Sequence, residues 1–179
     1  RRVLFRSHPI EAHEAGCAYV KESAMVSCQA PFPIVVTSNN GFPLDQNLYQ
    51  AVKGMSAAAQ IVEEGGMILV ASECRDGFPE HGNYRKLLFE YDSPDALLEA
   101  IHEPGFSVFD QWQVQLQAMI CQKARVGIQS SIDSDALRQA HLIPVDSIND
   151  ALRAELDRIG RDVPVAVLPE GPVTVPYLR

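Results

Sequence analysis

The stretch Thr37-Ser38-Asn39-Asn40-Gly41-Phe42-Pro43-Leu44-Asp45-Gln46-Asn47-Leu48-Tyr49-Gln50-Ala51-Val52-Lys53 holds a strand end, a tight turn and a helix start in direct succession. Ile34-Val35-Val36-Thr37 is a β-branched run bounded by Pro33 and the Asn39-Asn40-Gly41 turn, which predicts a strand. Asp45 stands where a helix cap is expected. Beyond it Leu48, Val52, Met55, Ala59 and Val62 step by three and four, which predicts an amphipathic helix ended by Gly65-Gly66. Strand, turn and helix form the repeating unit of parallel α/β sheets, whose ligands bind outside the carboxyl ends of the strands.

The same alternation extends outward. Residues 67–71, 126–129, 142–145 and 163–168 read as further strands, and Pro164 suits a strand start or a sheet edge. Residues 84–89, 93–102, 133–139 and 147–159 read as helices, the second with Ser93 as N-cap and Pro94 at N1. Residues 110–123 form a further helix with Trp112, Leu116 and Met119 on one face. Residues 10–21 have weak helical character, 27–33 read as a linker because of two prolines, and 170–179 read as an irregular tail. The expected fold class is α/β: a three-layer, mostly parallel, Rossmann-like sheet with helices on both faces.

With 179 residues, 46% of them hydrophobic and 21% charged, the chain has the material for one real core. Its formal charge of −8 argues against a nucleic-acid surface, which needs clustered Lys and Arg. No apolar run approaches the ~20 residues that cross a bilayer, and none resembles a signal peptide. Cys17, Cys28, Cys74 and Cys121 are scattered without a CxxC pair, so reduced thiols in a cytoplasmic protein are expected. Cys74 reads as a buried thiol rather than a ligand or nucleophile. His81, near Glu80 and Asp76, lacks a third partner for a metal, and no metal-binding residue is assigned. Arg1-Arg2-Val3-Leu4-Phe5-Arg6-Ser7 looks like the translated end of a sequencing adapter, and residues 1–7 are expected to be non-native.

On the first predicted helix, Tyr49, Gln50 and Lys53 fall on neighbouring sectors of one side, next to the apolar stripe. Lys53 offers a point charge for a carboxylate, and Gln50 a donor and an acceptor for a hydroxy acid. Backbone N–H groups at the helix start favour an anion as well. The same pattern also describes a solvated surface helix with a snorkelling lysine.

Residues 37–53, with their Asn47-Leu48-Tyr49-Gln50-x-x-Lys53 core, resemble the start of the C-terminal domain in the nickel-dependent lactate racemase family. Gly65-Gly66-Met67-Ile68, Ala71-Ser72-Glu73-Cys74-Arg75-Asp76-Gly77 and Asp110-Gln111-Trp112 match further on, in order. Residues 9–20 resemble the helix that leaves the family's N-terminal domain. The resemblance implies an N-terminally truncated 2-hydroxy-acid racemase or epimerase. Residues 8–32 would be the remnant of the inter-domain helix and linker, and 33–179 the C-terminal domain. In the family a nickel pincer nucleotide takes up and returns the α-hydride, and the N-terminal domain binds it and supplies the catalytic histidines. None of those motifs is present here. The C-terminal domain closes over the cleft and contacts substrate, through positions that fall here on Tyr49, Gln50, Lys53 and Trp112.

The expected partners are therefore a small 2-hydroxy acid and the protein's own N-terminal domain, with closure about residues 27–33. No nucleic acid and no membrane are expected. The fragment alone should be inactive. The turn Ser38-Asn39-Asn40-Gly41 has less glycine than the family pattern, and the loop Asp76-Gly77-Phe78-Pro79-Glu80-His81-Gly82 is long and polar. Those departures leave the identity of the acid open. The alternative reading is a non-catalytic module that binds a small anion or stabilises a partner.

Overall fold

In the computed structural model, which describes residues 8–179, the chain runs through α1 (Pro9–Ser23), β1 (Met25–Cys28), β2 (Phe32–Ser38), α2 (Leu48–Ala59) and β3 (Val62–Ala71). Three helices follow, α3 (Tyr84–Glu90), α4 (Pro94–His102) and α5 (Gln111–Lys123), before β4 (Arg125–Gln129). The rest is α6 (Ser134–Gln139), β5 (Ile143–Pro144), α7 (Ile148–Ile159), β6 (Val165–Leu168), a 3-10 turn at Gly171–Val173 and β7 (Val175–Leu178). The residues expected to be non-native, 1–7, lie outside those described.

Five strands pair in parallel in the order β5-β4-β3-β2-β6. Side chains alternate across the sheet, so each strand feeds two cores. Val35, Ile68 and Val70 pack with Leu48, Val52 and Met55 of α2 and with buried residues of α3, α4 and α5. Ile34, Met67 and Leu69 point the other way, where Leu152 and Leu156 of α7 cover them. The three-layer parallel α/β expectation is met, and Pro164 immediately precedes the edge strand β6.

Several local readings change. Asn47, not Asp45, caps α2, its side chain accepting from the Gln50 N–H at 3.1 Å. Asp45 instead turns back to β3: its carboxylate accepts from the Glu73 N–H at 3.1 Å and its carbonyl from the Cys74 N–H at 3.0 Å. Helix α2 ends at Ala59, and the glycine pair lies within β3 rather than after a helix. There the pairing shifts register, from Phe32 opposite Val62 to Ile34 opposite Met67. A side chain on Gly66 would come within 2.9 Å of the Pro33 carbonyl, so close approach of the two backbones accounts for the residue.

The segment read as a linker and the tail read as irregular are also structured. They meet as a two-stranded parallel pair, with Met25 opposite Val175 and Cys28 opposite Leu178. Pro31 and Pro33 fall after β1 rather than within it, and Pro176 is tolerated in a two-stranded ribbon. Helix α1 buries no residue. No helix among the described residues is long and apolar enough to cross a membrane.

Candidate functional site

Helix α2 starts beyond the carboxyl end of β2, and the turn between them is built around one amide. The fully buried Asn39 side chain accepts from the Gly54 N–H at 3.1 Å and donates to the Leu44 carbonyl, tying the turn to the helix. Asn40 and Gly41 both have left-handed backbones (φ 63° and 68°), and asparagine tolerates that region better than most residues. This is how the turn manages with less glycine.

Chain order reverses at β2, whose neighbours are the following β3 and the returning β6. Crevices at such points commonly hold ligands. Here the tail fills it: Asn39 bridges to Glu170, and Ser38 Oγ donates to the Pro169 carbonyl. Gly171 lies so close to β2 and α2 that an added Cβ would sit 2.7 Å from the Ser38 carbonyl.

The polar groups of α2 remain available beside that plugged crevice. Lys53 is exposed, and its Nζ donates to Gln50 Oε1 at 2.6 Å. The partly buried Tyr49 ring meets Tyr84 edge-on at 5.4 Å and Trp112 edge-on at 5.7 Å. Burial, with a smaller contribution from the Asp110 carboxylate, pushes the Tyr49 phenol above its ordinary pKa. It is therefore a neutral hydrogen-bond donor near pH 7. The structure thus joins Tyr49 to Trp112 and Gln50 to Lys53.

Trp112 stands at the head of α5, whose orientation departs from its apolar pattern. Trp112, Leu116 and Met119 face outward, and Trp112 is 53% exposed; Phe109 just before the helix is 75% exposed. The buried side instead carries Gln113 and Gln117, with Val114 and Ala118. Gln113 donates to the Tyr49 carbonyl at 2.6 Å. Gln117 accepts from the Tyr84 hydroxyl and donates to the Ala140 carbonyl at 2.7 Å. Buried amides are tolerated when bonded this way. Sequence reasoning missed both glutamines, although their spacing of four, in step with Val114 and Ala118, was the available signal.

Cys74 is buried, 3.2 Å from Ser72 Oγ, and burial pushes its thiol up to about 11. It is a packing residue. Among the described residues no three His, Cys, Asp or Glu side chains come together as a metal-binding group.

The fold and helix α2 define a class: an open, parallel α/β domain with polar side chains on the helix that follows β2, the strand at which chain order reverses. A family model described as lactate racemase C-terminal domain matches residues 27–175, and the chain belongs to that family. It is 34% identical over 169 residues to the lactate racemase of Thermoanaerobacterium thermosaccharolyticum, covering 93% of this chain and 39% of that protein. It is 36% identical over 162 residues to the lactate racemase of Lactiplantibacillus plantarum, covering 89% and 38%. The structure of the T. thermosaccharolyticum lactate racemase apoprotein superposes with a TM-score of 0.87 at 32% identity, over 97% of this chain and 41% of the other. A Thermotoga maritima crystal structure shares the fold, with a TM-score of 0.60 at 12% identity over 95% of this chain and 42% of the other. The chain thus spans about two fifths of the length of these relatives.

Proposed function

We propose that this chain is the substrate-contacting, cleft-closing part of a nickel-dependent 2-hydroxy-acid racemase or epimerase. The observation that supports this reading is that a chain of the lactate racemase C-terminal domain family carries the Gln50–Lys53 and Tyr49–Trp112 pairs on and beside α2. Residues 33–179 would be that domain and 8–32 the remnant joining it to an upstream half. The outward-facing Phe109, Trp112, Leu116 and Met119 form an apolar surface that the upstream half would cover. The four free cysteines agree with a reducing, cytoplasmic setting.

The role proposed for each side chain rests on its functional group and its exposure. The Lys53 ammonium neutralises the substrate carboxylate. Gln50, its Oε1 already bonded to Lys53, keeps its amide N–H groups for the carboxylate or the 2-hydroxyl. Tyr49 donates its phenolic proton, and Trp112 keeps water out of the closed cleft. Together these contacts fix the α-carbon in one place while its configuration changes. In keeping with the family resemblance, the nickel ligands and the proton-transferring groups are assigned to the upstream half. When bound there, the nickel pincer nucleotide supplies the hydride acceptor that ordinary side chains lack.

The test is a fusion of this chain to the upstream part of the T. thermosaccharolyticum relative, loaded with the nickel cofactor and assayed for interconversion of 2-hydroxy acids. Losing a charged hydrogen bond costs about 1.5–3 kcal/mol, so Lys53→Ala should lower kcat/KM by about 10- to 100-fold. Turnover and KM unchanged in that variant would remove Lys53 from the site.

A further inference from the structure

Helix α1 carries a pair of metal-ligand side chains that the proposed cleft does not use. His13 and Cys17 stand four residues apart on one side of α1, and the Cys17 Sγ lies 3.8 Å from either ring nitrogen of His13. Zinc bonds of about 2.3 Å to sulfur and about 2.0 Å to nitrogen, at a tetrahedral angle, set two such donors about 3.5 Å apart. Both residues are exposed, so side-chain rotation alone closes the difference. Among the described residues no third His, Cys, Asp or Glu joins them, and one copy of the chain supplies two of the four ligands that a structural zinc site takes.

The rest of that helix face points to the source of the other two. Ile10, His13, Cys17 and Val20 are spaced by three, four and three, as in the seam of a helix pair. All four are exposed, Ile10 at 62% and Val20 at 45%, and α1 buries no residue. The seam is symmetric about Ala15. Two such helices laid antiparallel around a two-fold axis there set Ile10 against the partner's Val20 at each end. In the middle, His13 and Cys17 of one copy meet Cys17 and His13 of the other, which gathers two thiols and two imidazoles on the axis. Two apolar side chains per helix make too short a seam to hold a dimer alone, and a net charge of −8 on each copy opposes association. A shared cation would decide the balance.

We propose that α1 is a zinc-dependent self-association site, at which two copies of this chain share one zinc ion through His13 and Cys17 of each. Each thiol gives its proton to solvent as its sulfur binds, and the imidazoles bind as neutral rings. A donor set of two sulfurs and two nitrogens suits zinc and rejects magnesium and calcium, which take oxygen ligands.

Sedimentation velocity of the 179-residue chain, held reduced with a phosphine and run with zinc, with magnesium or with a chelator, tests this. Cobalt(II) titration followed by visible absorption reads the ligands. The expected result is a monomer in chelator or magnesium, a dimer holding one zinc per two chains, and the intense spectrum of tetrahedral cobalt with a thiolate charge-transfer band. His13→Ala and Cys17→Ser should each weaken zinc-induced dimerisation at least about tenfold. Ile10→Lys with Val20→Lys, which spares the ligands, should weaken it as well, and His8→Ala, off the seam, should leave it unchanged. Circular dichroism checks that these exposed substitutions leave the fold intact. Zinc bound one per chain without dimerisation, a dimer that persists in chelator, or zinc-induced dimerisation undiminished in His13→Ala or Cys17→Ser overturns the proposal. The racemase reading rests on α2 and α5 and stands or falls separately.

Discussion

Individual side chains divide between those whose polar groups are used inside the fold and those that face solvent. Asn39, Asp45, Gln113 and Gln117 are buried polar groups whose hydrogen bonds hold a turn or pin one helix to another. Lys53 and Gln50 bond only to each other through their side chains, at the exposed side of α2, and the proposed substrate would exchange for that contact. The thiols divide in the same way. Burial pushes Cys74 up to about 11 and Cys121 up to about 12, whereas Cys17 is exposed on α1. A thiolate is the reactive form, so near pH 8 iodoacetamide should modify Cys17 quickly in the folded protein and leave Cys74 and Cys121 unmodified. Peptide mass mapping over time reads the order, and early labelling of Cys74 would contradict the packing described. Cys74 was legible as a packing thiol because an isolated cysteine beside a strand usually packs as a small hydrophobe. The capping of α2 by Asn47 was less legible, because Asp45 and Asn47 are both good caps and only the path of the loop separates them.

Among the elements, β2 was readable as a β-branched run bounded by turn formers, and the second half of β3, β4 and β6 as short apolar runs, whereas Val62 at the start of β3 continued the helical spacing of α2 and was read with it. The outward turn of α5 was not. Its apolar residues predict one buried face, yet the partners of Gln113 and Gln117 lie on α2, α3 and after α6, far away in sequence. The β1–β7 pair was hidden for the same reason, since each strand is short and its partner lies at the other end of the described chain. Gly171 belongs to this tail and is the element's tightest point. A Cβ there would meet the Ser38 carbonyl at 2.7 Å and the Gly54 Cα at 3.0 Å, both backbone atoms with little room to yield. Gly171→Ala should cost about 1–3 kcal/mol in urea unfolding. It should also speed amide exchange in β7 more than in β3 or β4, and unchanged exchange in β7 would show that the tail is not held through this contact.

For the whole molecule, one buried carboxylate ties α7 to the sheet beside its apolar contacts. Glu155 accepts from Arg158 at 2.6 Å and from Arg125 at the start of β4. The Arg158 hydrogen bond, aided by Arg125 and opposed by burial, holds the Glu155 carboxyl below its ordinary range. A carboxyl lowered in the folded state adds stability that is fully present above its unfolded pKa and is lost as pH falls through the folded value. The stability difference between the wild type and Glu155→Gln should therefore be constant near neutrality and shrink below about pH 4.5, the ordinary glutamate value. A gap in denaturation midpoints that stays constant down to pH 3 would contradict this assignment.

The central claim is that Lys53 meets a substrate carboxylate from the α2 side of a closed cleft. In the cofactor-loaded fusion with the upstream half, the direct measurement compares lactate with its uncharged amide, as substrates or competing ligands, for the parent protein and for Lys53→Met. The account predicts that the parent prefers lactate and that Lys53→Met erases most of that preference, about 10- to 100-fold, while binding of the amide changes little. A preference for the carboxylate that survives the substitution undiminished would contradict it.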